Sequence, residues 1–207
     1  HQERLVHKAM LAFKAGIIFL GACALIVTWL QSTLPPQVRL NSTNAQFAAR
    51  ADYEKSYRAF ATLPHPEFSQ TSVTLDIYPE QGLVNIQSHN QITNHSMQPI
   101  TSILVTTKQP LQSIRIETGR IAEQKSAGLW YTYRIELSQP MQPSAQLTLN
   151  YSLQMRSQTF AINRGIVENG VYFHQGEFEP LLGYAAMLEI DDSFSRKEFG
   201  LAEKTSV

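Results

Sequence analysis

The sequence predicts a mainly β protein: an antiparallel β-sandwich or saddle-like sheet domain, preceded by one transmembrane helix and one short amphipathic helix. Three observations carry this. Apolar residues alternate with polar ones in short runs from Val73 to Met155. Turn residues such as Pro79-Glu80-Gln81-Gly82 and Asn94-His95-Ser96 separate those runs at a spacing of roughly 8–12 residues, as in antiparallel all-β domains. Ala15 to Leu34 carries no charge.

That uncharged stretch, extended back across Lys14 to Ala9, is long enough to cross ~30 Å of hydrocarbon. Lys14 would snorkel to the headgroups, and Trp29 would sit at the far interface. Pro35 and Pro36 lack the donors to continue a helix. Arg4, Lys8 and Lys14 precede or open the span, so the positive-inside bias puts the N-terminus in the cytoplasm. Two other readings stay open. One is a buried core helix. The other is a lipoprotein signal with Leu20-Gly21-Ala22-Cys23 as its cleavage box, although Ala24 to Leu30 continues apolar beyond it.

The expected organisation is a cytoplasmic segment over 1–8, a transmembrane helix over 9–34, and a linker with an amphipathic helix over 35–66. A β domain over 67–190 follows, then a short helix and connecting segment over 191–207. In the amphipathic helix, Tyr53, Tyr57 and Phe60 form one aromatic face, and Glu54 and Arg58 are spaced to pair on the surface. Leu63-Pro64-His65-Pro66 stops it. Strands follow over Val73–Tyr78, Val84–Ile92, Ile100–Thr106, Ser113–Glu117, Leu129–Leu137 and Leu147–Met155, with Gln139 to Pro143 as a break. Ser193 to Phe199 reads as a helix opened by Asp191-Asp192 and closed by Gly200.

Composition narrows function. Lys plus Arg is 17 and Asp plus Glu is 17, which removes the electrostatic case for nucleic acid. Outside residues 1–34 the balance is 14 basic against 16 acidic, so the extracytoplasmic part is slightly acidic. One cysteine excludes a disulfide framework within the chain. His1, His7, His65, His89, His95 and His174 are scattered, with no His-Glu-x-x-His, phosphate loop or Gly-x-Ser-x-Gly elbow. The chain opens at His1 without methionine and is expected to be a piece of something longer.

One segment is richer in chemistry. Between Gly170 and Pro180, His174, Glu177 and Glu179 fall within six residues. In a strand, Glu177 and Glu179 would point to the same side, about 7 Å apart, and like charges so placed invite a cation. A substrate amine, an arginine or a metal would serve, as would plain solvation at a sheet edge.

Gly176-Glu177-Phe178-Glu179-Pro180 resembles the Thr-Gln-x-Glu-Ala/Pro stretch of the gluzincin (M1) aminopeptidases. The segments Asp52–Arg58, Val73–Glu80 and Gly183–Leu201 resemble a bacterial subgroup in which an ABC-transporter permease segment precedes an M1-like peptidase region. The resemblance covers about Arg50 to Lys204 and the membrane helix. It implies an N-terminal β domain in the periplasm, held to the bacterial inner membrane and adjoining membrane lipid. In that family the acidic residue of the stretch accepts the peptide α-amine, and the Gln two before it assists. Glu179 matches the first; Glu177 stands where the family has Gln. Leu181-Leu182-Gly183-Tyr184 departs from the usual Asp-Ala-Arg continuation. The resemblance implies zinc in a downstream catalytic domain, none in this chain, and no catalytic residue here. Other transporter subunits and a peptide N-terminus are the implied partners. The alternative is a non-enzymatic binding or adaptor domain of a transporter-type complex.

Overall fold

The computed structural model describes residues 14, 16–29, 43–127, 129–156, 166–167, 170–172 and 174–204. The chain forms two compact units, His1–Thr43 and Asn44–Val207.

In the first unit residues 16–29 are helical. Ile18, Phe19, Leu20 and Leu25 stand exposed on it. The Thr28 hydroxyl turns back to the Ala24 and Leu25 carbonyls, 2.9 Å from each, which keeps its one polar group bonded inside the helix. No described helix is long and apolar enough to cross a membrane. The expected span reaches from 9 to 34, and its two ends, with Pro35, Pro36 and residues 1–8, lie outside the described residues.

The second unit opens with α1 (Thr43–Tyr57), which tightens into a 3-10 turn over Arg58–Thr62. Ten strands follow among the described residues: β1 (Glu67–Tyr78), β2 (Leu83–Thr93), β3 (Ile100–Thr107), β4 (Leu111–Ile116) and β5 (Gly119–Ser126). Then come β6 (Tyr131–Met141), β7 (Gln146–Arg156), β8 (Ile166–Val167), β9 (Gly170–Val171) and β10 (Leu181–Leu182). A short helix, α2 (Ser193–Glu198), is the last element. One sheet runs β1-β2-β7-β4 and the other β10-β3-β6-β5, all antiparallel; β8 and β9 pair alone.

Alternation explains the packing. Val84, Ile86, Leu149 and Leu153 from the first sheet meet Ile103, Val105, Tyr133 and Ile135 from the second. The opposite face of β3 is buried too: Leu104 joins Tyr53, Tyr57, Trp130 and Ala185 in a second cluster. The expected aromatic face of α1 is thus what closes the outer side of the second sheet, giving helix on sheet on sheet. Tyr53 lies at the centre, stacked on Tyr184 at 5.5 Å and edge-on to Trp130 at 6.0 Å. The outer face of the first sheet stays polar, with Gln87, His89 and Gln91 exposed.

Two strand expectations change. Thr118 lies in the expected turn, but Gly119 already begins β5, a charged edge strand that was not expected, tied to β6 by Arg120–Glu136 (2.6 Å) and Arg134–Glu123 (3.3 Å). A side chain at Gly119 would meet Ile116 Cγ2 at 2.3 Å and Ile135 Cγ2 at 2.9 Å, so this glycine serves close packing. And β6 runs through Pro140 to Met141 instead of breaking at Gln139. The Ile100–Met141 pair lies across a register shift, an irregularity that accommodates a residue with no N–H to give.

Candidate functional site

The segment from Gln175 to Pro180 is a turn, not a strand. Gln175–Glu177 form a 3-10 turn in which the Glu177 N–H donates to the His174 carbonyl at 2.9 Å. Gly176 favours the bend and Pro180 has no N–H for a ladder, so the chain here has neither partner nor propensity for a strand. The expected same-side pairing of Glu177 and Glu179 across one strand therefore does not form.

The anchors of this turn set Glu179. Before it, Phe178 packs against the main core. After it Pro180 is buried, and β10 pairs Leu181 with Thr106 and Leu182 with Val105. The Gly183 N–H then donates to the Leu104 carbonyl at 2.8 Å. Glu179, itself half-buried, lines a cavity of about 290 Å³ whose walls include Leu129, Trp130, Leu181 and Leu188. Met187 is at its rim and 71% exposed. Glu177 is half-buried and does not line it.

The Glu179 charge is also felt at the buried Tyr151. Burial pushes the Tyr151 hydroxyl up, the Ser88 hydroxyl opposes this, and the Glu179 charge raises it further. Ser88 gives its own proton to Asn90 Oδ1 at 3.0 Å, and the buried Tyr151 oxygen is left without a well-formed hydrogen bond. Among the described residues Glu179 takes part in no ion pair. A carboxylate on an apolar cavity wall that forms no ion pair keeps its capacity to accept charge-assisted hydrogen bonds.

Among the described residues histidines do not join the Glu179 cavity; His65 and His95 line a separate one with Glu67. His89 Nδ1 lies 3.1 Å from Asn150 Oδ1 on the exposed sheet face, and His174 stands edge-on to Tyr172 at 5.2 Å. His65 packs under Gly183, whose φ of +85° and 2.6 Å clearance to His65 Cγ admit only glycine. Among the described residues no three His, Cys, Asp or Glu side chains are grouped to hold a metal, so the donors present do not fit a zinc site.

A second group of charges was not foreseen. Glu54, expected to pair on the surface, is buried and receives two hydrogen bonds from Arg196, at 3.0 and 2.6 Å. Its helix neighbour Arg58 is farther, at 3.8 Å, and bonds instead to Glu189. Tyr184 donates to Glu189 at 2.9 Å, and Lys204 lies 3.3 Å from it. Arg196 completes its bonding on the Ile190 and Ala202 carbonyls, both at 2.7 Å. This network clamps the C-terminal segment onto α1. Glu54 and Arg196 are 142 positions apart, and no spacing rule connects them. Lys108, Thr106 and Trp130, which share the cavity with Glu179, were likewise unforeseen for the same reason.

The chain matches no protein-family model and no curated protein.

Proposed function

We propose that this chain is the membrane-anchored, extracytoplasmic domain of an M1-like zinc aminopeptidase, non-catalytic by itself, and that Glu179 receives a ligand ammonium. The observation that carries the reading is Glu179 itself: an unpaired carboxylate on the lining of an apolar cavity, at the position that matches the family's amine-binding acid. Desolvated surroundings strengthen such a contact, and they reject an acylated amine that brings no charge. The apolar walls formed by Trp130, Leu129 and Leu188 favour a ligand whose amine adjoins an apolar side chain. Glu177 has the lesser part, since it stands outside the cavity lining. Zinc chemistry belongs in this reading to a domain beyond Val207, and the residues here only bind and orient. The anchor is the helix around residues 16–29, whose exposed Ile18, Phe19 and Leu25 suit a lipid surround.

Calorimetric titration of the full chain with leucinamide and with N-acetylleucinamide tests this. Leucinamide is expected to bind and the acetylated compound not to; Glu179→Gln abolishes binding and Glu177→Gln retains it. Equal binding of the acetylated compound would sink the amine reading.

A further inference from the structure

The cavity beside Glu179 holds a second charge that amine binding leaves unused. Lys108 follows directly on β3 and lines the same cavity, with its side chain exposed. Among the described residues Lys108 forms no ion pair, either with Glu179 or with any other carboxylate. Lys125 and Lys204 find acids, at 2.6 Å from Asp52 and 2.6 Å from Asp191, whereas Lys55 and Lys197, like Lys108, are in no ion pair among the described residues, and of these only Lys108 lines this cavity. One apolar cavity thus carries an anion and a cation on its lining that form no ion pair with one another.

We infer that its ligand is a small zwitterion with an apolar side chain: a free apolar amino acid or a dipeptide. The ammonium lies on Glu179, the carboxylate on Lys108, and the side chain against Trp130 and Leu188. This rests on the amine reading of Glu179 and adds the other end of the molecule. Size supports a short ligand, because 290 Å³ is at the lower limit of the roughly 300–1,000 Å³ of small-molecule pockets. A longer peptide would have to carry its carboxylate out of the cavity and leave Lys108 unmatched. Charge complementarity names both termini, and apolar walls name what lies between them. The buried Thr106 hydroxyl lines the same cavity.

The test is calorimetric titration of the full chain with leucine and phenylalanine against their amides, which keep the ammonium and lack the carboxylate. The amino acids are expected to bind about 10-fold more tightly than the amides, as a charged hydrogen bond implies. Lys108→Met is expected to bring the amino acids down to the affinity of the amides and to leave the amides unchanged. Glu179→Gln removes binding of both, with circular dichroism confirming that each variant is folded. If amino acid and amide bind the wild-type chain equally and Lys108→Met changes neither, the zwitterion is overturned while the amine reading stands. If no compound binds, both are overturned.

Discussion

Glu54 and Glu179 are two carboxylates drawn out of bulk water in the same unit, and their surroundings differ in kind. Glu54 is 4% exposed and meets the Arg196 guanidinium with two hydrogen bonds, in a network that also engages Arg58 and Glu189. Glu179 is half-buried among apolar walls, two residues before β10, and takes part in no ion pair among the described residues. Burying a charge is costly unless it is paired and hydrogen-bonded. At Glu54 the compensation comes from within the fold, so the charge holds two segments together. At Glu179 no ion pair within the described residues supplies the compensation, which is why that charge is proposed to receive a ligand. The difference separates a paired acid that holds the fold from one that pairs with no basic side chain among the described residues.

The strongest way to break that contrast is to remove the compensation at Glu54. Arg196→Met leaves the carboxylate buried with only Arg58 at 3.8 Å to answer it, and strips bonds from the Ile190 and Ala202 carbonyls. Loss of one partner of a buried pair costs about 3–5 kcal/mol. Urea denaturation of the full chain is expected to show a loss of that size. Adding Glu54→Leu is expected to recover much of it, because an apolar pair of similar volume carries no desolvation penalty. A loss under ~1 kcal/mol in the single variant would mean that water already compensates Glu54, and the contrast with Glu179 would collapse.

A gentler probe is pH. For Glu189 burial works to raise the carboxyl, but the Tyr184 hydroxyl, Lys204 and Arg58 together prevail and hold it below its usual 4.5. A carboxyl depressed in the folded state contributes stability that is present above 4.5. That contribution is lost as pH falls through the lower folded value. Thermal melts over the acidic range are expected to fall more steeply for wild type than for Glu189→Gln, and the two curves should converge in strong acid. Parallel curves would show that the clamp does not depend on this ionisation.

How much of this was legible in the sequence follows the range of each interaction. Alternation located β2, β3 and β7 almost to the residue because each puts one full face into the core, as at Val84, Ile86 and Ile92. It missed β5, where Ile121 is the one large apolar residue and charges hold the strand instead. The helix α2 was legible from its cap: Asp192 Oδ2 accepts from the Ser195 N–H at 2.7 Å, and Gly200 closes it at φ +64°. Glu179 was singled out as a chemical type, but its cavity was not, since the walls come from residues 106–108, 129–130 and 176–188. Glu54 was misjudged as a surface acid because its near neighbour Arg58 supplied a local partner, while the decisive one lies at Arg196.

The smallest expected effect is the most discriminating. Glu179→Gln and Lys108→Met remove charges that have no ion-pair partner among the described residues, so neither deletes a contact on which the fold depends. Substitutions of that kind typically stay within about 0.5 kcal/mol. For Glu179→Gln the sign should lean toward stabilisation. An uncharged amide is cheaper to hold beside Trp130 and Leu181. The same urea titration that shows a large loss for Arg196→Met is thus expected to show almost none for Glu179→Gln, although both variants change a charge in the interior half of one unit. If Glu179→Gln instead costs ~2 kcal/mol or more, the carboxylate is a fold-holding group with an internal partner. The division between a paired acid that builds the domain and an unpaired one that awaits a ligand would then be wrong at its centre.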